Sequence, residues 1–274
     1  MLDKLLPIVL GQLPTSTAEV RPRLVKILNH ISMRAKSNAE IGLPVSKILD
    51  RWLNLSKEEA TAPTAPLFFN LAMVYTELGA PRVPDARALA LQILKNFDQF
   101  CQQSSARPGF FLMVIQGLIP SQDQPPKPDE MEELVDLISI SKQFYACCNE
   151  LFLIPCAAAE APSVQGIGSH DWTAWKRRLT GKDQGQVVEL KKRVLKLLSA
   201  LKLDPNEVYV PMMIATTDQI DQVSNAAEIY LRMRETLVDL ENSELVAKIF
   251  TCALLKNPEQ GGPSPLPIAV PTGR

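Results

Sequence analysis

The stretch TAEVRPRLVKILNHI, Thr17 to Ile31, reads as an amphipathic helix with a proline at its sixth position. From Val20 the apolar residues recur at Leu24, Ile27, Leu28 and Ile31, the spacing of a helix that buries one face. Thr17 is placed as the N-cap, and Pro22 then falls in the opening turn, where its missing N–H costs little. A helix of this kind is built to be packed on by neighbours. Arg21 is expected to reach an adjacent helix or turn, and Pro22 to fix how the chain enters the second helix of a pair.

The rest of the chain supplies such neighbours. Glycine is scarce, no convincing period-two alternation of β-branched residues occurs, and the prolines gather between apolar-periodic runs. Helices are expected at about 2–13, 17–35, 44–55, 64–79, 84–103, 107–118, 128–154, 170–180, 184–202, 205–217, 220–240 and 243–256. In the first of these, Leu2, Leu5, Leu6, Val9 and Leu13 share one side. A dozen helices joined by short turns predict an all-α fold, and hairpins that cannot each bury an apolar stripe stack into an α-solenoid. HEAT units of about 40 to 47 residues suit the length, with roughly six in the chain. The organisation expected is HEAT-like helical repeats over 1–154, an Ala/Pro/Gly/Ser-rich surface loop over 155–169, further HEAT-like helices over 170–256, and a Pro/Gly-rich tail over 257–274, extended or disordered.

Composition narrows the function. The 274 residues are 46% hydrophobic, enough for a sizeable core, and 29 basic against 30 acidic residues give a net charge of -1. No basic excess exists to condense on a phosphate backbone, so nucleic acid is not an expected partner. The longest apolar run, around Phe110 to Ile119, is about half of the roughly 20 residues a bilayer span needs, so no membrane insertion is expected. The opening MLDKLLPIVLGQL carries Asp3 where a signal peptide is basic and lacks a small-residue cleavage pattern. It reads as a helix.

Catalytic, metal and cofactor residues were sought and none is assigned. His30 and His170 are the two histidines; His30 fits the edge of a packed face, and His170 has no partnered nucleophile or G-x-S-x-G elbow. In HDWTAWKRR, Ser169 or Asp171 is placed as a helix cap, and Trp172 and Trp175, three apart, as anchors in a groove. Cys101, Cys147, Cys148, Cys156 and Cys252 form no C-x-x-C pair, and Cys147, Cys148, Cys156 and His170 lack the spacing of a structural zinc set, so reduced, buried thiols are expected. GIGS, Gly166 to Ser169, has neither the strand nor the lysine of a phosphate loop. The basic stretch over 176–196 is read as a solvated helix face opposite a buried stripe of Val187, Leu190, Val194, Leu197, Leu198 and Leu201, the alternative being a docking surface for an acidic partner. Acidic clusters at Asp129–Glu133 and Asp218–Asp221 suit helix N-termini.

Taken in order, LDKLLPIVLGQL, EVRPRLVKILNHISMRAKSNAEIGLPVSKIL and LFFNLAMVYTELGAPRV resemble the N-terminal part of the large HEAT-repeat adaptor and scaffold proteins of the proteasome. The later LDPNEVYVPMMIATTDQIDQVSNAAEIYLRM and SELVAKIFTCALL are similar to a further block of that family, while 155–185 is least alike. The resemblance implies a non-enzymatic scaffold that binds proteasome regulatory and core particle subunits, bridges or stabilises the two particles, and supports assembly or quality control in cytoplasm and nucleus. It also implies that the chain is a fragment of a longer protein. The other function weighed is a helical-repeat adaptor in trafficking or nuclear transport. An all-α enzyme would need a polar pocket with convergent titratable groups, for which the chain has few histidines.

Overall fold

The computed structural model describes residues 2–103, 105–119, 128–155 and 163–233, with isolated positions between 241 and 247. Among them every regular element is helical: α1 Leu2–Gly11, α2 Arg21–Ser37, α3 Val45–Leu53, α4 Lys57–Thr61, α5 Ala65–Gly79, α6 Ala86–Lys95 and α7 Phe97–Phe100. There follow α8 Arg107–Leu118, α9 Pro128–Ser139, α10 Lys142–Leu153, α11 Ser169–Leu179, α12 Gln184–Ala200, α13 Pro205–Thr216 and α14 Asp221–Met233. The fold is an all-α solenoid. Contacts run between helices close in the chain: α1 meets α2, α3 and α5, α6 lies along α8, α11 crosses α8, α10 packs on α13, and α14 closes on α12 and α13.

Several cross-ties of the array join residues about one HEAT unit apart. Arg51 Nη2 donates to Gly11 O over 3.2 Å and 40 residues, and Arg82 Nη1 to Ile41 O over 3.0 Å and 41 residues. Lys47 meets Asp3 44 residues away, the Tyr75 hydroxyl donates to Leu28 O 47 residues back, and Gln99 Nε2 reaches Leu53 O across 46. Ser141 donates to Asp98, and Arg107 to Glu150, each over 43 residues. Separations of 40 to 47 residues, with no self-similar sequence behind them, are the mark of a HEAT-length unit stacking on the next. Arg82 Nη2 also donates to Ala35 O over 2.7 Å, filling a carbonyl that the C-terminus of α2 leaves open.

At the centre lies α8, which is apolar all round and buried along Pro108–Ile115, Gly117 and Leu118, as a helix without a polar face must be. A Cβ on Gly117 would stand 2.4 Å from Ala86 O and 2.6 Å from Ala90 Cβ, so glycine is what lets α6 approach α8 this closely. Gly117→Ala is expected to cost about 1–3 kcal/mol by overpacking, read as a lower urea midpoint at unchanged slope; an unaltered midpoint would mean that α6 slides freely on α8.

The expected helices survive with four changes. The α2 helix starts at Arg21 with Pro22 in its first turn, and Thr17 is no N-cap: it lies in the preceding turn, where its Oγ1 accepts from Val20 N over 3.4 Å. Arg21 does reach a turn, donating from Nη2 to Ser16 O over 2.7 Å. The run 84–103 breaks at Asn96 into α6 and α7, and 128–154 breaks before Ser141, whose hydroxyl caps α10 by accepting from Phe144 N over 3.3 Å. The short α4 was not foreseen, although Ser56 and Glu59 form the S-x-x-E capping box that announces it. The helix expected at 243–256, apart from isolated positions, and the tail from 257 lie outside the described residues, as do 156–162 of the expected loop.

Candidate interaction surface

Some charges in this chain are locked inside in pairs, and others stand exposed on the helix surfaces. The locked set begins with Arg107 at the start of α8, which pairs with Glu150 of α10 and lies 3.1 Å from Asp171 of α11. Trp175 Nε1 donates to the second oxygen of Glu150 over 2.7 Å, and Arg107 Nη1 to Gln143 Oε1 over 3.2 Å. Arg178 of α11 stands 2.7 Å from Glu77 of α5, above Gly109, where any Cβ would meet that pair at 2.6 and 2.7 Å. Both tryptophans of HDWTAWKRR are buried, as their spacing suggested, but they enter the core. The helix cap is Gly168, neither Ser169 nor Asp171. The carboxylate of Asp171 is turned to Arg107.

Burial pushes the Glu150 carboxyl above the ordinary glutamate range, against the lowering pull of Trp175 and Arg107. The folded state therefore binds this proton more tightly than the unfolded chain. Its share of stability is full below the unfolded value and declines as pH rises through the folded one. Trp175→Phe removes a donor to a buried carboxylate and is expected to cost about 1.5–3 kcal/mol at neutral pH. Because the loss raises the carboxyl further, the deficit should narrow on acidification. Unfolding midpoints compared between about pH 4 and 7 decide it, since a pH-independent deficit would mean that Trp175 acts through packing alone.

The basic stretch is corrected at its centre. Its apolar stripe is buried as expected, but Lys191 is fully buried too and donates from Nζ to Ile154 O and Asp218 Oδ2, each over 2.6 Å. Arg178 is likewise largely enclosed, while Arg177, Lys192 and Lys196 remain on the surface. Asp218, which the sequence places at a helix N-terminus, lies in the turn before α14, where its Oδ1 accepts from Ile220 N over 3.1 Å.

Cys101, Cys147 and Cys148 are buried free thiols, and burial pushes all three above the ordinary thiol value; Cys156 and Cys252 lie outside the described residues. No group of three metal-ligating side chains gathers among the described residues. His170 is exposed beside Gly168. His30 is exposed as well, at the middle of the outer face of α2, and not at the edge of a packed one. A cleft of about 370 Å³ opens between α8 and the start of α12, lined in part by Gln116, Lys182, Gln186 and Arg193. Gln186 is held there by its capping box and Arg193 by Glu189, 3.3 Å away. No described helix is long and apolar enough to cross a membrane.

The helix α2 bears a run of exposed cations with no carboxylate among them. Its core side is Leu28, Ser32 and Ala35, flanked by Leu24, Val25 and Ile31. The Thr17–Ile31 stripe is thus half right, since Val20 and Ile27 are 48% and 50% exposed; Leu5 of α1 likewise faces out while Leu6, Leu10 and Leu13 are buried. On the far side of α2 stand Arg23, Lys26, Ile27, His30, Met33 and Arg34. The helix carries Arg21, Arg23, Lys26, Arg34 and Lys36 and no carboxylate. Among the described residues none of Arg23, Lys26, Arg34 or Lys36 has an ion-pair partner. The sequence carries this signal, for Arg23, Lys26 and Arg34 lie opposite Leu28 at 100° per residue, whereas a stripe through Ile27 assigns part of that flank to the core.

The family described as proteasome component ECM29, N-terminal, matches residues 1–270. The chain is similar to the proteasome-associated protein ECM29 homolog of Drosophila melanogaster, 23% identical over 85% of this chain and 12% of the relative. It is similar also to the proteasome adapter and scaffold protein ECM29 of Homo sapiens, 22% identical over 91% of this chain and 15% of the relative. The chain therefore spans less than a sixth of the length of these curated relatives. No solved structure matches.

Proposed function

This chain belongs to the N-terminal family of proteasome component ECM29, and from that premise we propose that it is a non-enzymatic segment of a scaffold that binds the proteasome. The family match over residues 1–270 carries the reading. The names of the curated relatives, a proteasome-associated protein and a proteasome adapter and scaffold protein, support it. So does the architecture, because a solenoid exposes long flanks along which a large particle can be held. Its enclosed ionisable residues tie helices together, as with Arg107 and Glu150 or Lys191 and Asp218.

The bridging of regulatory and core particles, support of assembly or quality control, and residence in cytoplasm and nucleus are parts of the same proposal. The experiment is reconstitution. The purified chain, mixed with purified regulatory particle, core particle or the joined assembly, is expected to co-migrate on native gels with at least one of them, and with bridging, to raise the yield of the joined form. Absence of any complex at micromolar concentration would overturn the reading for this segment.

A further inference from the structure

We infer that the outer face of α2 is the part of this segment that engages the proteasome, and that it takes an acidic stretch of a proteasome subunit carrying apolar side chains among its carboxylates. The inference rests on the proposed proteasome binding and deepens it. Elsewhere several enclosed cations meet a carboxylate, Arg51 with Glu59, Arg107 with Glu150, Arg178 with Glu77 and Lys191 with Asp218. Arg23, Lys26, Arg34 and Lys36 of α2 are exposed and meet none among the described residues. Four cations stand without a described partner on a helix that holds no carboxylate, in a chain whose net charge is only -1.

Among those cations sit two large apolar side chains, Ile27 at 50% and Met33 at 71% exposure. A single exposed apolar residue means little. Here the two lie beside His30, with Arg23, Ile27, His30 and Arg34 spaced three or four apart along one line of the helix. Apolar anchors bordered by charge form the core-and-rim pattern of a protein interface, in which the charges set rate and orientation.

Two other partner classes fit less well. A helix that lies in a bilayer surface uses its whole apolar face, whereas that of α2 is already committed to the core through Leu24, Leu28, Ile31 and Ala35. Nucleic acid would be met by stacking aromatics as well as cations, and α2 has no aromatic residue but His30.

The test uses the full chain with purified proteasome particles and zero-length coupling of lysine amines to carboxylates. Lys26 and Lys36 are expected to couple to aspartates or glutamates of one proteasome subunit. The variant Arg23→Glu/Arg34→Glu should bind about tenfold or more weakly, and Ile27→Ser/Met33→Ser should weaken binding while leaving its salt dependence intact. All four positions are exposed, so unfolding midpoints near that of the parent will show that the variants are folded. If the parent binds particles and the charge-reversed variant binds equally well, this inference falls and the proteasome reading stands; if the parent binds none, both fall. Coupling of Lys26 to Glu132, Glu133 or Asp136 of a second copy, or binding to phosphatidylserine vesicles in place of particles, would also overturn it.

Discussion

Asp218→Ala is expected to destabilise the chain by about 3–5 kcal/mol, the penalty for leaving a buried charge unpaired. Lys191 comes from the middle of α12, its side chain is 0% exposed, and that of Asp218 is 5% exposed. Removing the carboxylate leaves the ammonium with Ile154 O alone in a fully buried position. The reverse deletion, Lys191→Met, should be costly for the same reason, since it strands the carboxylate. The double variant Lys191→Met/Asp218→Leu should recover most of the loss, because two apolar groups of similar size leave no charge to solvate. It will not recover all of it, as the Asp218 bond to Ile220 N goes too. Urea titrations of the four proteins read this directly. Additive losses in the double variant would mean that the two residues act separately, and the ion pair would not be what joins α12 to the turn before α14.

The second large effect is expected at Trp52. Its ring is 4.8 Å from that of Phe69 and 6.3 Å from that of Phe68, both on α5, 5.9 Å from Phe100 of α7, and 5.3 Å from Phe110 of α8. The tilted and edge-on angles, 52° to 81°, are those aromatic quadrupoles favour. One side chain on α3 thus ties that helix to α5, α7 and α8. Trp52→Ala should cost about 3–5 kcal/mol, transfer and cavity together. In a solenoid, where stability is shared between neighbouring units, the loss should fall unevenly: amides of α1 to α3 are expected to gain more hydrogen exchange than those of α12 to α14. Uniform acceleration along the chain would show instead that the described array unfolds as one block.

Much of the architecture was legible because it is local. Proline clusters marked the turns, and the 3.6-residue recurrence of apolar positions marked the helices. Three boundaries were missed for equally local reasons. Ser56 with Glu59 and Ser141 with Phe144 are caps inside or beside runs that stay apolar, and periodicity continues across a cap when the helices on both sides bury the same flank. Asn96 parts α6 from α7 as the C-cap of α6, its Nδ2 donating back to Gln92 O over 3.2 Å. The repeat length was suggested by chain length alone, and several cross-ties of the N-terminal half span 40 to 47 residues.

The candidate surface was the harder part. An apolar stripe drawn through Val20, Leu24, Ile27, Leu28 and Ile31 spans more than the helix can bury, and α2 resolves the excess by turning Leu28, Ser32 and Ala35 inward and Val20 and Ile27 out. Likewise nothing in KKRVLK says which lysine is interior. Lys191 is inside because Ile154 and Asp218, 37 and 27 residues away, arrive there to receive it.

What the amino-acid order determined unaided was the helical class, the turns and the stacked arrangement, all of which follow from hydrogen bonds and apolar recurrences within a few residues of one another. What only the tertiary structure decided was which side of α2 meets solvent and which charges are enclosed. The physical reason is that burial depends on residues brought in from one repeat away, and the free energy of a charge or an apolar side chain is set by those neighbours and not by its place in the chain.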